Sequence, residues 1–66
     1  MGTHRYRITV MGALGRAAKE AFEGCEIAIV EGGAILFGRL DQAALHGVLH
    51  RIQRHGLELV AVQREG

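Results

Sequence analysis

Apolar and polar positions switch between a period of two and a period near 3.6 along this 66-residue chain, and glycine or aspartate marks each switch. In Arg5–Val10, Tyr6, Ile8 and Val10 alternate with Arg5, Arg7 and Thr9, the pattern of a strand with one buried face. Gly12 ends it. Leu14, Ala17, Ala18, Ala21 and Phe22 then recur at helical spacing, with Arg16, Lys19, Glu20 and Glu23 opposite. They predict an amphipathic helix of about three turns, closed by Gly24. Cys25–Glu31 and Ala34–Leu40 are apolar runs separated by Gly32-Gly33, a pair that predicts a hairpin because both residues tolerate φ > 0. Asp41 predicts a helix N-cap. Leu45, Val48, Leu49 and Ile52 form the stripe of that second helix, and Gly56 is its C′ residue. Leu57–Val62 reads as the last strand and residues 63–66 as a polar end.

The resulting order is β-α-β-β-α-β, filling residues 1–66 as a single domain. It predicts an α+β fold of the ferredoxin-like sandwich type, a four-stranded antiparallel sheet with two helices on one face. Strands one and three are expected at the centre. With Tyr6, Ile8 and Val10 facing the helices, the open face receives Arg5, Arg7 and Thr9. To these the pattern adds Val60 and Val62 and part of the hairpin, namely Ala28, Val30 and Leu36 or Phe37. A half-aliphatic face exceeds what a small monomer exposes, and a domain of this size buries only about 60% of its unfolded surface. Self-association follows as the expectation, by stacking of open faces or pairing of edge strands, with Val30, Leu36, Val60 and Val62 at the interface.

Composition narrows the classes. The net charge of +1 is too small for electrostatically driven binding, so neither nucleic acid nor membrane is a predicted partner. Cys25 is the one cysteine, which leaves no intramolecular disulfide. A lone thiol, a short polar leader (Met1–His4) and no long apolar run predict a cytoplasmic protein.

Candidate chemistry is sparse. His46 and His50 stand at i and i+4 and could both reach a transition metal. The helical wheel, however, sets His46 on the flank and His50 nearly opposite the core, and the further donors His4, His55 and Cys25 lie on other elements. No metal site or cofactor is predicted. Cys25, beside Glu26 and near Glu23, is expected to have a raised pKa and to serve as a small buried residue. Serine is absent, and no nucleophile–base pair stands out. RNA binding on the sheet needs aromatic residues on the central strands, where only Tyr6 and Phe37 occur. Gly12 and Gly15, three apart between the first strand and first helix, could let backbone N–H groups approach a small molecule beside Arg16.

The chain resembles ACT-type regulatory domains, which share this element order and length. Within Met11-Gly12-Ala13-Leu14-Gly15, the glycine and leucine have counterparts in that family's ligand loop, whereas its Asp and Pro do not. The resemblance implies side-by-side pairing of sheets with a small ligand near Gly12 and Gly15. The stretch Gly38-Arg39-Leu40-Asp41-Gln42-Ala43-Ala44-Leu45-His46-Gly47-Val48-Leu49, with Gly56-Leu57-Glu58-Leu59-Val60, also looks like a group of small stand-alone bacterial proteins of unknown function. The functional expectation is a non-enzymatic, homo-oligomeric regulatory or scaffold module with a small molecule at a subunit interface. Two alternatives stand beside it: an adaptor that binds a different protein through its sheet, and an accessory subunit or small enzyme with an inter-subunit site.

Overall fold

In the structure, a computed structural model that describes residues 2–65, six elements follow in the predicted order. They are β1 (His4–Met11), α1 (Arg16–Ala21), β2 (Glu26–Val30), β3 (Gly33–Leu40), α2 (Gln42–Arg54) and β4 (Glu58–Glu65). Met1 of the polar leader and Gly66 of the polar end lie outside the described residues. The strands form one sheet in the order β2-β3-β1-β4, and every neighbouring pair is antiparallel. β1 and β3 are central and paired along their whole length, from His4 opposite Leu40 to Met11 opposite Gly33.

That register decides which residues share a face, because directly opposed residues point to the same side. Ile8 stands opposite Leu36, and Val10 opposite Ala34. All four are buried, together with Ala18 and Phe22 from the α1 region and Leu45, Val48 and Ile52 from α2. Both helices therefore cover one side of the sheet. The other side carries Arg5, Arg7, Thr9 and Met11 from β1 and Ile35, Phe37 and Arg39 from β3.

α2 is the best-specified element. The Asp41 carboxylate accepts from the Ala44 N–H at 2.8 Å, satisfying one of the orphan donors of the first turn. At the other end Gly56 adopts φ +70°; its N–H donates to the Gln53 carbonyl, and the Leu57 N–H to the Ile52 carbonyl. This is a Schellman motif, with Ile52 and Leu57 both buried as its apolar pair.

Elsewhere the structure corrects the sequence reading. α1 has six residues rather than three turns; Leu14 precedes it, and Ala17 is exposed. Its N-cap, Gly15, has no side chain to bond the first turn, so the helix starts late. The hairpin turn is Glu31-Gly32, with Gly32 alone at positive φ, while Gly33 belongs to β3. A Cβ on Gly33 would collide with the Val10 carbonyl oxygen, so close strand contact rather than turn geometry requires glycine there. β4 continues to Glu65, drawn out by pairing with β1 as far as Arg5. Leu57, read as its first residue, belongs instead to the cap of α2.

Two interface expectations change as well. Leu36 is fully buried beneath the helices, since its partner Ile8 faces them, and it is unavailable to any partner. Val62 is also opposite Ile8 and so lies on the helix side of the sheet, not on the open face. The cause is a bulge: Thr9 pairs with Ala61 but Val10 pairs with Leu59, leaving Val60 as an extra residue. The extra residue reverses the alternation, so Leu59 and Val62 both point toward the helix layer.

Two glycine substitutions test this packing. A Cβ on Gly47, inside α2, would meet only the Arg51 Nη1 at 3.6 Å, an ordinary contact. Gly47→Ala is expected to raise stability by about 0.5–1 kcal/mol through helix propensity. Gly33→Ala should lower it by about 1–3 kcal/mol, as overpacking does. Urea unfolding midpoints of the two variants check both signs.

Candidate functional site

The register arranges the open face in rows across the sheet. One row is Ala28, Ile35, Thr9 and Ala61; the next toward the hairpin is Val30, Gly33, Met11 and Glu58. Toward the opposite end come Glu26, Phe37, Arg7 and Gln63, and then Arg39, Arg5 and Glu65. The face is thus divided. Its hairpin end is mostly aliphatic, with Met11 37% and Val30 38% exposed. The other end is charged, and the Arg7 guanidinium carbon lies 5.9 Å from the centre of the Phe37 ring. Val30, expected at an interface, sits on this aliphatic end. Val60 is exposed at the β4 bulge. Sequence reasoning missed Ile35 because an all-apolar hairpin has no visible period, and Met11 because the sequence pattern closes the first strand at Val10, one residue before its alternation turns Met11 outward.

The loop between β1 and α1 is held by backbone geometry. Gly12 adopts φ +127°, its N–H donates to the Gly32 carbonyl at 2.7 Å, and a Cβ there would come within 2.9 Å of Leu57. Its N–H is therefore committed to the hairpin. A depression of about 270 Å³ opens beside it, lined by Gly12, Leu14, Lys19, Ile29, Val30 and Gly33 among others. Gly15 and Arg16 do not line it. Gly15 instead gives its carbonyl to the Lys19 N–H, and Arg16 is the exposed first residue of α1. Of the three expected ligand residues, the structure brings only Gly12 to this concavity, next to Val30.

A larger groove, about 530 Å³, runs between α2 and β4. His46, Leu49, His50, Ile52 and Gln53 form one wall, and Leu57 and Leu59 the other. Both histidines are exposed and line the same groove, which the helical wheel alone does not show because the second wall comes from the cap residue Leu57 and from β4. Among the described residues, no group of three or more His, Cys, Asp or Glu side chains comes together as a metal site.

Cys25 is half-buried against the core, beside Gly38, where a Cβ would come 3.3 Å from its Sγ. Its thiol pKa is raised, as expected, but by burial; the positive charge of Arg51 opposes the shift. Neighbouring glutamates are not the cause. Among the described residues, no helix is long and apolar enough to cross a membrane.

These features define a small α+β domain with a core on one side of its sheet and concave or apolar surfaces elsewhere. The chain belongs to the family described as Domain of unknown function (DUF8691), whose model matches residues 5–63. No curated protein and no solved structure matches the chain.

The raised pKa gives a direct prediction. The thiolate is the reactive form, so alkylation of Cys25 by iodoacetamide in the folded protein should be slower than in the urea-unfolded chain at the same pH. The pH at half-maximal rate should shift upward on folding.

Proposed function

We propose that the protein is a non-enzymatic module that associates with copies of itself through the open face of its sheet. The strand order and the placement of both helices on one side support a ferredoxin-like sandwich, in which that face has no covering layer of its own. The observation that carries the proposal is the pair of rows at the hairpin end. Ala28, Val30, Ile35, Met11 and Ala61 make a mostly aliphatic patch, with Thr9 between Ile35 and Ala61 and Glu58 beyond Met11; Glu26, Phe37, Arg7 and Gln63 form the row that borders it. An apolar centre with a charged margin is the anatomy of a protein interface.

The dimensions suit a second copy. Four strands about 4.8 Å apart and up to eight residues long present a face of roughly 500 Å² in projection. With side-chain relief this is of the order of the about 800 Å² that each partner contributes to a stable interface. Val60 lies at the margin of this contact, on the edge strand.

A regulatory role follows from the depression beside Gly12. Val30 belongs both to its lining and to the aliphatic patch, so a small molecule seated there touches the contact between copies. Such a ligand acts by favouring one assembly over another. The free thiol and the modest charge suit a cytoplasmic setting.

Light scattering coupled to size-exclusion chromatography tests the proposal. Wild-type protein should elute as a dimer or larger, and Val30→Asp should elute as a folded monomer with an unchanged circular dichroism spectrum. A wild-type monomer at millimolar concentration contradicts it.

A further inference from the structure

The groove between α2 and β4 is separate from the open face and brings two histidines together. His46 and His50 are one helical turn apart on a 13-residue helix capped at both ends, so their spacing is fixed before any ligand arrives. Both are exposed and both line the same groove. Two imidazoles so placed match the donor set of late first-row divalent ions, which imidazole nitrogen binds well. Gln53, the next turn along, brings an amide to the same wall, and could accept from an imidazole N–H that faces away from a metal.

One copy offers half of a site. No third His, Cys, Asp or Glu joins the pair among the described residues, whereas protein zinc sites use three or four ligands. The opposite wall is β4, an edge strand, whose Leu59 is 43% exposed although it points toward the helix layer. A second copy facing this groove about a two-fold axis supplies its own two histidines and covers Leu59.

We propose that His46 and His50 form a half-site for a divalent transition metal, Zn²⁺ or Ni²⁺, and that a second copy of this chain completes it with the same two residues. The contact lies on the helix side of the sheet, so it is separate from stacking of the open faces. Particle mass without metal reports on the open face, and the change on adding metal reports on this groove, so the two ideas fail independently.

The test uses the whole chain with ZnCl₂ or NiCl₂ as the probe, and MgCl₂ as the control. Light scattering should show the particle mass at least doubling with Zn²⁺ or Ni²⁺, since a dimer joined by its open faces carries two such grooves, and returning to its starting value with EDTA. Calorimetric titration should give one metal per two chains. His50→Gln and His46→Gln replace exposed residues, so both variants should fold, and both should lose the mass change. Binding no tighter than Mg²⁺, one metal per chain without a change in mass, or an undiminished response in His50→Gln would each overturn the proposal.

Discussion

The inner face of the β1–β3 pair is the constraint on which the molecule depends. Ile8, Val10, Ala34 and Leu36 are at most 1% exposed, and the other buried hydrophobic side chains among the described residues join the same cluster. α1 illustrates the dependence: six residues without a side-chain cap cannot hold a helix in water. It persists because Ala18, and Phe22 just beyond its last turn, close over that face. α2 has its own caps, yet its orientation is set by Leu45, Val48 and Ile52 reaching the same cluster. A chain this short can build one layer of helices, and that layer leaves the reverse of the sheet to water or to a partner.

Two surfaces are left without a covering layer. The reverse face is aliphatic at the hairpin end and charged at the other, a division created by the register of β1 against β3 rather than by any single residue. The bulge at Val60 divides the apolar residues of β4 differently: Leu59 and Val62 turn toward the helices and the α2 groove, while Ala61 stays with the open face. The same strand thus borders two distinct candidate contacts. Cys25 belongs to neither: it is half-buried against the core, where burial favours its protonated form.

How much of the molecule is legible in the sequence depends on how local each signal is. The alternation of β1, the Asp41 cap and the Gly56 terminus are each written in a few adjacent residues, and all three appear in the structure. Leu36 and Phe37 are equal candidates for the open face in sequence because an unbroken apolar run carries no phase; the pairing of Leu36 with Ile8 and of Phe37 with Arg7 decides for Phe37. Val62 reads as outward because a bulge is a relation between strands and leaves no mark on one of them. Gly33 has the look of a turn residue, while its actual constraint is the carbonyl of Val10 on the neighbouring strand. The shared groove of His46 and His50 needs β4 to be placed beside α2. The element order is legible; the assignment of residues to faces requires the register.

The most direct test of the central claim is methyl NMR of the protein as its concentration rises from micromolar to millimolar. Methyl groups of Ala28, Val30, Ile35 and Ala61 should shift together, whereas those of Val48 and Ile52 in the core should stay fixed. Spectra that do not change with concentration, or shifts confined to the helices, would contradict an open face that is built to be covered.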